Sequence, residues 1–238
     1  MNMSITMPTN RELCNVLADA LGIEREVVDE TVHHLRETKM LPDGEDTTAT
    51  VDHAVTLLIA LMGAPGPEDA PDSAQLYAQL PLDRVMRCES MSDGRFESIH
   101  VPDTDPFVED LSQFGTTFGT FLAGLVSAFN EAPEVDIEPG EIIVGGGLGT
   151  ATASINILAL ADSVNVGGTV KFSLAPMGGD QMPDDAPAAR LDRYTIVPGP
   201  IFAVFRKFFG SADGPRKVVL SRADMARLSQ ESSSCLTE

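Results

Sequence analysis

The stretch that most invites a chemical reading is the glycine run Gly145–Gly147 with Leu148, Gly149 and Thr150, which follows the apolar segment Glu141–Val144. A phosphate-cradling loop needs a Lys and a hydroxyl directly after its last glycine, and here Thr150 and Ala151 stand there. A dinucleotide fold needs a helix after the glycines, whereas Ala151–Ile157 alternates apolar and polar residues as a strand does. The run is therefore expected to be a bend within a sheet. The four histidines form no ligand set. His33 and His34 are adjacent, so on a helix they diverge by about 100° and cannot chelate one ion. His53 and His100 have no Cys or carboxylate at ligand spacing. Cys14, Cys88 and Cys235 lie far apart and make no C-x-x-C pair, which argues against a zinc site or a disulfide framework. With no G-x-S-x-G or Cys/His signature either, the chain is expected to be a non-enzyme with neither cofactor nor metal.

Charge is the most unusual bulk property. The 238 residues carry 16 Lys/Arg against 36 Asp/Glu, a net of −20. Such a surface repels phosphate backbones over about a Debye length, roughly 8 Å at physiological salt. The imbalance is uneven: residues 1–189 hold 8 bases against 31 acids, and residues 190–238 hold 8 against 5. That basic tail, with Arg206 and Lys207 among its members, either touches nucleic acid or neutralises the acidic body. Apolar content of 43% fits a folded globular chain. The absence of Trp and an aromatic content of 5% remove the usual material of a base-stacking platform. The start, MNMSITMP, has no basic cluster and no long apolar core, so a cytoplasmic location is expected.

Hydrophobic spacing places the elements. Thr9 and Glu12 have the spacing of a capping box, Leu13, Val16, Leu17, Ala20 and Leu21 repeat at helical period, and Gly22 is set to end that helix. A second helix is expected over about 24–38, with Val28, Val32 and Leu35 buried. The turn-rich LPDGEDTTAT fits a short wing, and a third helix follows with Val51, Val55, Leu58 and Met62. GAPGPEDAP then reads as a linker, residues 73–80 as a short helix, and RFESIHV as a strand. The longest helix is expected over 105–131, where Phe107, Leu111, Phe114, Phe118, Phe121, Leu125 and Ala128 make a heptad-like seam. That seam suits packing on its own domain's core or, through Phe114, Phe118, Phe121 and Leu125 with Gly115 and Gly119, self-association. A membrane surface fits less well, for want of flanking bases, and no membrane span is expected. EIIV, the 151–157 stretch, TVKFSL and LDRYTIV alternate as antiparallel strands. IFAVFRKFFG then reads as a short amphipathic helix, RKVVLS as a last strand and SRADMARLSQ as a capped helix.

The spacing of Ala18, Gly22 and Val28 carries a resemblance. A small residue four before the turn glycine and a β-branched residue six after it are what helix-turn-helix units use. The segment 9–62 resembles that superfamily, including its winged-helix branch. LADALGI, VVDETVHHLRETKMLP and DHAVTLLIAL are also loosely similar to uncharacterised proteins of bacterial viruses and mobile elements. The resemblance implies that the second helix enters the major groove. Yet its outward positions are Glu24, Arg25, Glu26, Asp29, Glu30 and His33, and the wing segment adds Asp43, Glu45 and Asp46 without a base. Arg25, Arg36 and Lys39 are the bases left to contact DNA there, with Arg206 and Lys207 nearer the C-terminus.

The expected architecture is α+β. It comprises a helix-turn-helix-like helical domain over 1–63, a Pro-rich linker and irregular segment over 64–104, and an α+β domain over 105–228 with a long helix on a small antiparallel sheet. A loose tail follows over 229–238. The function expected from the resemblance is a homo-oligomeric DNA-associated accessory protein, a regulator or packaging factor, of a viral or mobile genome. The alternative is an acidic module that docks on a basic protein partner without touching DNA.

Overall fold

A computed structural model describes residues 8–90, 96–105, 108, 111–131, 137–146, 151–161, 164–174 and 194–209. Thr9 caps α1 (Asn10–Leu21) through a reciprocal box with Glu12: the Glu12 amide donates to Thr9 Oγ1, and the Thr9 amide donates to the Glu12 carboxylate at 2.8 Å. Gly22 ends the helix at φ 65°, left-handed backbone that glycine enters without the Cβ penalty. The chain continues through α2 (Arg25–Glu37), α3 (Val51–Gly63), a 3-10 turn (Pro67–Asp69) and α4 (Ala70–Ala78).

The anticipated linker is structured. Pro67 opens the 3-10 turn, where a missing N–H costs nothing, and Ala70, Ala74, Tyr77 and Leu80 are buried behind it. Strands β1 (Leu82–Ser90) and β2 (Phe96–Val101) follow, then α5 (Phe118–Glu131), β3 (Ile137–Gly145), β4 (Thr152–Ala161), β5 (Val164–Ser173), β6 (Tyr194–Val197) and α6 (Pro200–Phe209). The fold is α+β. The expected strand at RKVVLS, the helix at SRADMARLSQ and the 229–238 tail lie outside the described residues.

The six strands form one antiparallel sheet in the order β2-β1-β5-β4-β3-β6. Pairing places Val101, Val85, Val170, Ile155, Ile142 and Val197 in one row across all six strands, each at most 3% exposed. Their β-branched side chains suit a pleated, buried surface. Period two puts the neighbours Met86, Thr169, Lys171, Ser154, Ile143 and Ile196 on the opposite face, where Lys171 and Ile196 are exposed. The sheet is thus apolar toward the helices and of mixed character on the other side.

The long helix expected over 105–131 is interrupted. Leu111 and Ser112 are helical, but Gly115 sits at φ 143° and α5 begins afresh at Phe118, with Thr117 and Thr120 bonding across its first turn. The cause is tertiary pairing. Leu82 N–H donates to the Thr116 carbonyl, and Phe118 N–H to the Leu80 carbonyl, which draws 116–118 alongside the start of β1.

One continuous core joins the helices and the sheet. Helix α3 lies at its centre: Ala54, Val55, Leu57, Leu58, Ile59, Ala60 and Met62 are all buried, well beyond the single stripe read from the sequence. A helix apolar on all sides needs neighbours on all sides, and α3 packs on α1, α2, α4, α5, β3 and β6. The Tyr77 hydroxyl of α4 donates to the Gly146 carbonyl at 2.9 Å, fastening that helix to the end of β3.

Candidate binding surface

Helices α1 and α2 are joined by a tight turn at Gly22 and Ile23. The Gly22 and Ile23 amides both turn back to the Ala18 carbonyl. Ala18 is buried at the helix crossing, and Val28 is fully enclosed. Helix α2 sends Val28, Thr31, Val32 and Leu35 inward. That leaves Glu26, Asp29, Glu30, His33 and Glu37 exposed along its outer side, with Glu24 just before them. The expected wing is not a hairpin. Residues 41–50 run through bends and one turn at Glu45 and Asp46, and Thr48 makes one isolated bridge to Thr9.

Each base of this helical end is occupied. Arg25 donates to Asp29 Oδ1 at 2.8 Å and to Asn15 Oδ1. Lys39 pairs with Asp43 at 3.0 Å, Arg11 with Glu45, and Arg36 donates to the Gly44 carbonyl at 3.2 Å. Residues 8–78 hold these four bases against fourteen acids. Exposed pairs of this kind contribute little to stability, but the carboxylates beside Arg11, Arg25 and Lys39 offset their charge in the field that an approaching phosphate would meet, while Arg36, bonded to a carbonyl, keeps its charge. His33 and His34 lie 3.5 and 3.3 Å from Glu37, where protonation would pair them with it. Arg25, Arg36 and Lys39 therefore do not form a free basic cluster.

Arg206 and Lys207 stand apart from them, exposed on the last turn of α6. Cations there complement the negative end of the helix dipole. The rest of α6 faces inward through Ile201, Phe202, Val204, Phe205 and Phe208.

The expected association seam is spent inside the molecule. Phe118 and Phe121 are fully buried, and Leu125 is 1% exposed. Both rings meet Phe172 of β5, at 5.5 and 5.4 Å between centroids, and Phe114 packs edge-on to Phe121 at 5.9 Å. Gly119 lies so close to α4 that a Cβ would come within 2.9 Å of Ala78 Cβ. The small residue and the aromatic seam thus serve the packing of α5 on α4 and the sheet; Phe118, Phe121 and Leu125 offer no face to a second copy, and Phe114 is half-buried.

The glycine run begins a hairpin, since Gly145 pairs with Thr152 across β3 and β4. Gly147–Thr150 themselves lie outside the described residues. Cys14 is buried at 4% exposure, and burial raises its thiol above the ordinary 9.0, with Arg25 and Arg36 lowering it and Asp29 adding to the rise. Among the described residues no group of three His, Cys, Asp or Glu could hold a metal ion, and no helix is long and apolar enough to cross a membrane.

One polar feature escaped the sequence reading. Thr50 and His53 form a second capping box, at the start of α3. Thr-x-x-His is a spacing that could have pointed to it, had His been weighed as a substitute for the usual Glu or Gln. No family model matches this chain, and neither a curated protein nor a solved structure matches it.

Proposed function

We propose that the protein is a non-enzymatic binding module whose acidic helical end docks on a basic protein partner. The observation that carries this reading is the charge arrangement of α2. Glu26, Asp29, Glu30 and Glu37 line its exposed side, while the neighbouring bases Arg25, Arg36 and Lys39 are tied to Asp29, Gly44 and Asp43. A one-sign surface of this kind speeds encounter with a basic partner and rejects polyanions. Phosphate neutralisation supplies most non-specific DNA affinity, and this end of the molecule has little to give it.

A second reading keeps the DNA-associated accessory role, in a viral or mobile genome. The left-handed Gly22 between buried Ala18 and Val28 favours it, with Arg206 and Lys207 exposed near the end of α6. The two are separated by titrating the full chain with a Lys/Arg-rich peptide and with duplex DNA, at low and moderate salt. The docking reading expects peptide binding that drops at least about tenfold when Glu26, Asp29, Glu30 and Glu37 are neutralised to Gln or Asn. A control neutralising Glu68, Asp69, Asp72 and Asp103 should leave most of it. DNA binding lost on Arg206→Ala/Lys207→Ala would instead support the second reading. Equal loss of peptide binding in both neutralised variants would reduce the acidic face to bulk charge.

A further inference from the structure

The start of α3 and the start of α1 are held by one loop. The Asn10 amide donates to the Thr47 carbonyl at 2.9 Å and the Arg11 amide to the Glu45 carbonyl at 3.0 Å. The Ala49 amide returns to the Pro8 carbonyl at 2.8 Å. Thr47 Oγ1 closes the loop on itself through the Asp43 carbonyl at 2.8 Å. At the loop's end, Thr50 accepts the His53 amide on Oγ1 at 3.2 Å, and the Thr50 amide donates to His53 Nδ1 at 3.3 Å.

A Glu or Gln oxygen at this third helical position accepts a hydrogen bond at any pH near neutral; an imidazole nitrogen accepts one while it is unprotonated. Protonation would set an N–H against the N–H of Thr50, and it would place a positive charge in the first turn, at the positive end of the helix dipole. Two groups work the other way. The Asp52 carboxylate beside the ring and the backbone of Thr48, in the loop packed on it, both favour the imidazolium. Burial opposes them and prevails, holding the imidazole below its ordinary 6.5.

We infer that the Thr50–His53 cap is a proton-operated latch. Protonating His53 withdraws the acceptor from the Thr50 amide and loosens the start of α3, together with the 42–50 loop that clamps the start of α1. The linkage has a definite sign. A base whose folded-state affinity for protons is depressed stabilises the fold above its unfolded value and loses that contribution as pH falls below about 6.5 toward the folded value. The latch is closed at neutral pH and opens as pH falls through the lowered folded-state value of His53.

Native-state hydrogen exchange on the full chain, corrected for intrinsic exchange rates, tests this at pH 7.5 and pH 5. His53→Gln keeps a capping acceptor and removes the titration. The protection of the Thr50 amide and of residues 45–50 should fall about three- to tenfold further in the wild type than in His53→Gln, the size of losing one capping side chain. An equal fall in both proteins overturns the latch. Imidazole nitrogen shifts of the wild-type protein give a reading that does not depend on the variant folding. An unprotonated Nδ1 at pH 7.5 that gains its proton as the Thr50 amide loses protection supports the inference. A neutral ring already protonated at Nδ1, or protonation that leaves Thr50 unchanged, overturns it.

Discussion

At the scale of single residues, Cys14 and His53 differ in how their burial is used. Cys14 faces the core between α1 and α2 as a small apolar group, and nothing there stabilises its thiolate enough to offset desolvation. Its raised thiol stabilises the fold fully below the ordinary value of 9.0, and that contribution is lost as pH climbs through the higher folded value. Wild-type stability in urea should therefore decline above about pH 9 more steeply than that of Cys14→Ala, and the native thiol should resist a thiol reagent at pH 8 until the chain unfolds. Rapid native labelling would place Cys14 on an accessible surface. The sequence spoke differently about these residues. Cys14 stands next to Leu13 and three residues before Leu17 in the apolar repeat of α1, so its burial follows from the helical period. His53 had no legible role, because a capping histidine has no signature beyond a threonine three residues earlier.

Elements were legible where local chemistry and tertiary packing agree. The Thr9–Glu12 box and Gly22 fix the ends of α1 from within the chain, and the alternation of Ala151–Ile157 and Val170–Leu174 marks β4 and β5. Strand β1 was hidden, since Asp83, Arg84 and Arg87 interrupt its apolar pattern, and its place is set by pairing with β2 and β5. The break at Gly115 was hidden for the same reason: only the partner segment Leu80–Leu82 draws Thr116–Phe118 out of helical register. The acidic face of α2 could be read from its residue types, but the pairing of each nearby base with its own carboxylate or carbonyl needed three dimensions. Helix α5 supplies the element-scale test. Phe121 is fully enclosed between Phe114 and Phe172, so Phe121→Ala should cost about 3–5 kcal/mol in urea unfolding, the usual range for emptying a buried aromatic site. If Phe121 served association instead, the substitution would lower the oligomeric state in light scattering and leave the unfolding free energy nearly unchanged.

For the whole molecule, the decisive fact is where α3 sits. A helical domain ending near residue 63 would have α3 as its last helix, apolar on one side and wet on the other. Instead Leu57, Leu58, Ile59 and Ala60, four successive residues that point all round a helix, have no exposed surface. Their cover comes from both sides of the expected boundary: α1 and α2 before it, and α4, α5, β3 and β6 after it. Cutting the chain after the GAPGP segment would bare the side of α3 that α4 and α5 occupy. It would also remove the burial that offsets the ordering of the helix. A fragment of residues 1–66 should therefore melt without a cooperative transition, while in the full chain the far-ultraviolet signals of helix and sheet disappear together at one midpoint. A sigmoidal melt from the fragment would restore an autonomous helical domain, and the acidic face of α2 would then belong to a unit able to act alone. Its absence would mean that the face is held in place by the sheet at the far side of the core. Docking at α2 would then stabilise the whole fold against unfolding rather than its first three helices alone.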